Sequence, residues 1–171
     1  HLLSKFFVPV KKIGRLVFGD TQKVVRSGNW HGNDTCWRMV VDLNKCLFHF
    51  DGEGKPRTKP LRYLAVVDAI IAGEGNGPMA PDPKPCGAVL VGTNPLAVDC
   101  VCCALMGFDW RKLRLLAGAF KSSSKPLAEF GHDAITVRSN VASKQKQLSE
   151  FTKEDGFAFK PHFGWVGAVE L

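Results

Sequence analysis

The stretch YLAVVDAII, residues 63–71, decides the fold class of this chain. It is short and almost continuously apolar, with Asp68 as its one charged residue, which is typical of a strand covered on both faces. A second run of the same kind, AVLVG at residues 88–92, predicts a second buried strand. Together the two runs indicate a central sheet.

Helix signals alternate with these strands. Residues 35–48 have a broad apolar side, and Asp34 or Thr35 can cap their first turn. Asn94 followed by Pro95 is a strong helix start, and we expect that helix to end before a glycine at position 107. Two of the elements that a layered α/β fold needs on the faces of its sheet are therefore present.

The other elements have weaker signals. Asp109 should cap a short helix that ends near residue 120, and residues 143–150 resemble an exposed polar helix. Residues 6–19 and 134–138 are prone to form strands. These elements predict an α/β layered domain with a mainly buried central sheet flanked by helices. Its length of 171 residues fits a single domain over residues 1–171.

Composition narrows the class of protein. Hydrophobic residues make up 45% and charged residues 23% of the chain, which argues against disorder. There is no apolar run of about 18 residues, so a membrane-spanning helix is not expected. The net charge is +7, but the basic residues are scattered and a solvated surface explains them. We accordingly do not expect nucleic acid as a partner, and polyanion binding is the weakest of the functional hypotheses.

Cysteine usage points to a reducing compartment. Five of the six cysteines lie in apolar segments, where cysteine behaves as a small hydrophobic residue, and the chain has no Cys-x-x-Cys pair. We therefore expect a cytoplasmic protein. No iron–sulfur ligand set is visible in the sequence.

Asp99 is the strongest candidate for a chemical role. Its predicted helix is apolar nearly all round, so a carboxylate there should need a cation, a metal ion or several donors as partner. The competing interpretation is a structural carboxylate bonded to loop amides. The amides that begin the same helix, beside Asn94, are also a candidate anion site.

The segment GEGNGP, residues 73–78, is predicted to be a loop that follows a buried strand. Gly75 and Gly77 let the backbone approach a ligand, Asn76 can orient it, and Glu74 can hold a metal ion or move a proton. Asp68 can point to the same edge. A plain tight connection and a carboxylate that satisfies backbone donors explain the same residues. The glycine spacing matches neither a dinucleotide fingerprint nor a Walker loop.

A polar loop at residues 27–34 supplies a third candidate. His31 and Asp34 can ligate a divalent cation or exchange protons, and we place them at the rim of the site. A helix cap beside a surface histidine is the alternative. Arg38 and Asp42, which are four residues apart in the helix that follows, can form an ion pair. His162, in the aromatic segment near the end of the chain, is predicted to be a packed tail residue.

Five stretches together resemble one family, the domain-of-unknown-function 362 proteins. These are GNWHGNDTCWRMVVDLN at 28–44, VDAIIAGEGNGP at 67–78, GTNPLAVD at 92–99, LMGFD at 105–109 and PHFGW at 161–165. The resemblance implies a cytoplasmic α/β protein, from a family whose members are often iron–sulfur-associated. It also implies that this chain corresponds to the C-terminal half of a longer architecture, with a partner domain or subunit supplying the N-terminal half.

The residues and the resemblance lead to three functional hypotheses. The first is a domain that binds an anionic small molecule, with a divalent cation as the cofactor that the carboxylates favour. In it, Asp99, Glu74 and Asp68 are catalytic, with Asp99 and Glu74 on the metal, while Asn76 and Asn94 orient the ligand. The second is a redox module whose iron–sulfur cluster lies outside this chain. The third is the polyanion binder.

Overall fold

A computed structural model of the protein describes residues 30–59, 61–122 and 124–171. It contains both helices and strands, which confirms the α/β class. The regular elements are listed here in chain order: α1, Cys36–His49; β1, Ala65–Asn76; β2, Ala80–Gly92; α2, Pro95–Met106; and α3, Arg114–Lys121. The predicted strand at residues 6–19 lies outside the described residues.

β1 and β2 form a two-stranded antiparallel hairpin, with Ala65 opposite Gly92 and Asn76 opposite Ala80. The prediction of a loop at residues 73–78 is wrong for most of that segment, because β1 continues to Asn76 and only the turn residues follow. Three prolines stand at every second position of β2, at 81, 83 and 85. Such residues suit an edge strand, where the missing N–H groups can face away from the neighbouring strand.

The hairpin differs from the expectation of strands covered on both faces. Val66, Ile70, Val89 and Val91 lie on one face and are 57–63% exposed. Leu90 points to the other face and packs against the core. The physical reason is that α2 contacts one face of the sheet, and the described chain places no element on the other. Continuous apolar runs therefore do not distinguish a buried parallel strand from a hairpin with an open apolar face.

The hydrophobic core is built around α2, as its sequence indicates. Leu96, Cys100, Cys103, Ala104 and Leu105 of this helix are buried. The predicted start is confirmed, because the side chain of the residue at 94 accepts a hydrogen bond from the third residue beyond it and a proline follows. The predicted end is confirmed as well, because the glycine at 107 has φ 84°, the left-handed conformation that glycine adopts without strain.

α1 confirms the helix predicted over residues 35–48, and Thr35 takes the N-cap position, although its side chain makes no capping hydrogen bond. Oδ1 of Asn33 accepts hydrogen bonds from the backbone N–H groups of Thr35 and Cys36, at 3.1 and 3.2 Å. α1 packs against α3 through Trp37, whose ring lies over Gly118. Because Asn33 accepts these bonds, the side chain of Asp34 is left available for other contacts.

The C-terminal part of the chain consists of short 3-10 turns. The predicted strand at 134–138 is reduced to one bridge between Thr136 and Gln147, and the predicted helix at 143–150 is replaced by two such turns. The tail closes the end of α2, because the N–H groups of Phe157 and Phe159 bind the carbonyl oxygens of its last two residues at 2.7 and 2.9 Å. These carbonyls have no partner within the helix, so the tail completes its last turn.

A search for membrane-spanning helices found none in the part of the chain that the structure describes.

Candidate functional site

The two acids of β1 lie far apart. Asp68 is exposed and its Oδ1 accepts a hydrogen bond from the N–H of Ile70 at 3.0 Å, beside a register shift in the hairpin. Glu74 is six residues further along the strand, which is roughly 20 Å at the rise of a β-strand. The two carboxylates therefore cannot hold one metal ion together.

Glu74 is buried and ties the hairpin to the tail. Its Oε2 accepts a hydrogen bond from the backbone N–H of Lys160 at 2.9 Å. The ammonium groups of Lys84 and Lys160 lie 3.5 Å from its two oxygens. The backbone hydrogen bond first, and then the two positive charges, lower the pKa of this carboxyl despite its burial. Glu74 is thus an ionised anchor of the hairpin tip, with its oxygens already engaged.

Asp99 occupies a different place, on the surface of α2 where this helix meets α1 and α3. More than a third of the residue is exposed, which differs from the expectation of a buried acid. It lines a half-open cavity of about 40 Å³ whose other walls are mostly apolar. This partial burial raises the pKa of the Asp99 carboxyl. No donor or cation within the described residues contacts the carboxylate, although the sequence predicted a partner.

The structure does not bring the three acids together. Among the residues that it describes, no three His, Cys, Asp or Glu side chains lie close enough to hold a metal ion. The cysteines are free thiols, and Cys100 and Cys103 are buried in the core. Burial, with the nearby Asp99 charge as a smaller cause, raises the pKa of Cys100 to about 12. Because no such group of ligands gathers, the described residues do not fit a divalent metal or an iron–sulfur cluster.

The polar residues expected to orient a ligand have structural contacts. Both ends of the Asn94 amide are used, since Oδ1 accepts from the N–H of Ala97 and Nδ2 donates to the carbonyl of Leu127 at 2.8 Å. Asn76 lies at the tip of the hairpin, at the opposite end of β2 and roughly 40 Å away along the strand. The structure therefore does not gather these two asparagines in one cleft.

The two glycines of the same segment also lie at this tip. Gly75 has φ 74° and donates its N–H to the carbonyl of Lys160 at 2.9 Å, while Gly77 begins the turn. With its N–H engaged, Gly75 serves the contact between hairpin and tail.

Asp34 collects cations and donors from two helices. Its Oδ1 accepts a hydrogen bond from the indole Nε1 of Trp37 at 3.0 Å, and its Oδ2 lies 2.6 Å from the guanidinium of Arg38. Arg114, the first residue of α3, reaches the same carboxylate at 2.8 Å. The Trp37 hydrogen bond and the two arginine charges lower the pKa of Asp34. Arg38 thus pairs with Asp34, not with Asp42 as its spacing suggested.

The loop that carries Asp34 also contacts the tail. The N–H of His31 donates to the carbonyl of Gly164 at 2.9 Å, and its ring meets that of Trp165 edge-on at 5.6 Å. Nδ1 of His162 accepts a hydrogen bond from the N–H of Gly164 at 3.2 Å. Two distant stretches of the chain, near residues 31 and 162, therefore meet at one place.

The candidate functional site is the Asp34 carboxylate with its two arginines, and we call it the Asp34 cluster: Asp34, Arg38 and Arg114. His31 and Asp34 were predicted from the sequence. Arg114 was missed because it approaches from a helix about 80 residues away.

Comparison with known proteins gives one match. The family model described as Domain of unknown function (DUF362) matches residues 15–104, about half of the chain. This range contains His31, Asp34 and Arg38, whereas Arg114 and His162 lie beyond it. No curated protein and no solved structure matches the chain.

Proposed function

The chain belongs to the family described as Domain of unknown function (DUF362), and we propose that its role is to bind an anionic small molecule at the Asp34 cluster. The observation that carries this proposal is the pairing of one carboxylate with two guanidinium groups. Asp34 contributes one negative charge, while Arg38 and Arg114 contribute two positive charges at 2.6 and 2.8 Å. The cluster therefore has a net positive charge.

The two arginines are well placed to receive an anion. Their side chains are 60% and 48% exposed, so a ligand can reach them from solvent. A guanidinium has five N–H donors, and the contact with Asp34 uses one nitrogen of each. Asp34 fixes the two groups from different helices, which reduces the entropy that a ligand must remove on binding. A phosphate or carboxylate matches the planar donor pairs that remain.

A second Arg–Asp pair in the chain shows why the presence of two arginines on one carboxylate matters. Asp109 binds Arg111 alone, at 2.7 Å, and this pair is neutral as a unit. An anion gains little from a neutral pair, whereas the Asp34 cluster offers an uncompensated charge.

The metal-assisted part of the sequence-based hypothesis receives no support from the arrangement of the described residues. Asp68, Glu74 and Asp99 lie at separate places, and we derive no step through a metal ion. The proposed function is therefore binding, with the ligand held at a partly open surface. Such binding is expected to weaken as the salt concentration rises.

The experiment is a titration of the 171-residue chain with inorganic phosphate and with citrate, followed by amide chemical shifts in NMR. We expect saturable shifts centred on residues 31–38 and 114. Arg114→Gln and Arg38→Gln should each weaken binding about threefold to thirtyfold, the range for a charge-assisted hydrogen bond lost at a partly exposed site.

Arg111→Gln is the matched control, because it removes an arginine from an ion pair outside the cluster. It should leave the affinity unchanged. Equal weakening by Arg111→Gln and Arg114→Gln would show that only the overall charge matters. Absence of saturation with both anions would refute the proposal for phosphate and carboxylate ligands.

A further inference from the structure

α1 presents apolar side chains to solvent on a second side of the helix. Met39, Leu43 and Leu47 are 60%, 61% and 52% exposed. They are spaced four residues apart, so they form one stripe along the helix. The core-facing side of α1 carries Trp37 and Val41 instead. A surface helix ordinarily keeps one apolar side, and that side faces the core.

Val40 lies three residues before Leu43, so the two are neighbours on the helix surface, and Val40 lines the cavity that contains Asp99. Val40 and Asn44 of α1 form one wall, Asp99 lies on α2, and Leu115 of α3 forms another wall. The Asn44 amide is turned back to its own helix, where Nδ2 donates to the carbonyl of Val40 at 2.8 Å. The Asp99 carboxylate is therefore the charged group of an otherwise apolar depression. We call this depression and the adjoining stripe the Asp99 groove.

The carboxylate in this groove has no counter-charge among residues 30–59, 61–122 and 124–171. No cation within the described residues contacts it, whereas Asp34 and Glu74 each have two. A carboxylate against apolar walls loses part of its hydration without compensation. A cationic side chain that enters the groove would compensate for the lost hydration of the carboxylate, and its apolar stem would pack against the apolar walls.

We propose that the Asp99 groove docks an amphipathic helical segment of a partner protein, which inserts one lysine beside Asp99 and packs apolar side chains on Met39, Leu43 and Leu47. Lysine fits the groove better than arginine for two reasons. A cavity of about 40 Å³ accommodates an ammonium group, which is close to a water molecule in size. The lysine stem is a flexible apolar chain that can lie along apolar walls. The apolar stripe supplies anchors at helical spacing, as in helix-in-groove recognition.

The probes are two synthetic helical peptides with leucines spaced to match the stripe. One has a single central lysine, and the other has norleucine at that position. Binding to the 171-residue chain is measured by calorimetry. We expect the lysine peptide to bind about threefold to tenfold more tightly, the range expected for a partly desolvated ion pair. Asp99→Asn should remove that difference, and Leu43→Glu should weaken both peptides.

Asp42→Asn is the matched control, because this residue is an acid on the polar side of the same helix. It should preserve the preference for lysine. Circular dichroism of each variant checks that the helices are retained. Equal binding of the two peptides by the unmodified chain, or equal effects of Asp42→Asn and Asp99→Asn, would overturn the proposal. A dimer in sedimentation that Leu43→Glu dissociates would overturn it as well, in favour of a second copy of the chain as the occupant.

Discussion

Replacing Gly118 by alanine tests the packing of α1 on α3. A Cβ added at Gly118 would lie 2.4 Å from Cζ3 of Trp37 and 2.9 Å from Cε3 and Cη2 of the same ring. Carbon atoms in contact prefer a separation of roughly 3.5–4.0 Å, so the ring or the helix must move by about 1 Å. Overpacking of this kind costs about 1–3 kcal/mol.

Two further effects set the net change. A tilt of the indole strains the 3.0 Å hydrogen bond from Trp37 to Asp34, with a loss of about 0.5–1.5 kcal/mol. Alanine is favoured over glycine inside a helix by about 1 kcal/mol, which acts in the opposite direction. The expected result is a decrease of about 2 kcal/mol in the free energy of unfolding.

The assay is urea denaturation followed by far-ultraviolet circular dichroism, together with a thermal scan. For a chain of this size, about 2 kcal/mol corresponds to a decrease of roughly 4–8 °C in the unfolding midpoint. Gly52→Ala is the control, because an added Cβ there meets no atom within 4 Å. The same Gly118 substitution in a Trp37→Leu background should become neutral or stabilising. A Gly118→Ala protein that is more stable than the parent would refute this account of the helix contact.

Three other perturbations have expected outcomes. Asn94→Ala should lower the unfolding free energy by about 1–3 kcal/mol, because it removes the cap of α2 and a hydrogen bond to a loop carbonyl. Denaturant titration measures this loss, and a change below about 0.5 kcal/mol would contradict the prediction. Asp155 binds Lys146 at 2.7 Å, and that contact first, with a backbone hydrogen bond, lowers its pKa to about 2. Because the folded-state pKa lies below the unfolded one, the stabilisation is present above about pH 4 and is lost as the pH falls through about 2. Asp155→Asn should therefore lower the unfolding free energy at pH 6, and the variant and the parent should become equally stable in acid. A stability difference that is independent of pH would count against the ion pair. Gly92→Ala places a Cβ 2.3 Å from Cγ2 of Val98, so it should destabilise by about 1–3 kcal/mol, and the smaller side chain in Val98→Ala should relieve most of that loss.

The elements that the sequence predicts well are those with local signals. The start of α2 follows from Asn94 and Pro95, and its end follows from a glycine, because caps and chain breaks act over a few residues. The hairpin was less predictable. Residues 63–71 are apolar on both faces, yet one face is open, and a pattern of apolar residues does not reveal how many strands a sheet has. The short 3-10 turns near the C terminus have no periodicity long enough to detect.

The candidate site shows the same division. His31 and Asp34 were accessible to prediction because they share a polar loop. Arg114 was not, since only the packing of α3 on α1 brings its side chain to Asp34. For Asp99, in contrast, the sequence predicted a burial that the structure does not show. An apolar helix sequence suggested burial, but the groove between three helices leaves the carboxylate partly exposed and without a described partner.

The contact of Trp37 with both Asp34 and Gly118 gives the protein an optical probe of its own. The indole N–H binds the carboxylate that organises the two arginines, while the ring reports on the helix pair. An anion that draws Arg38 or Arg114 away from Asp34 changes the field at this indole and should shift its emission. Substituting the other three tryptophans, at positions 30, 110 and 165, by phenylalanine would leave this single emitter. Anion occupancy of the Asp34 cluster could then be followed in dilute, unlabelled protein by its intrinsic tryptophan fluorescence.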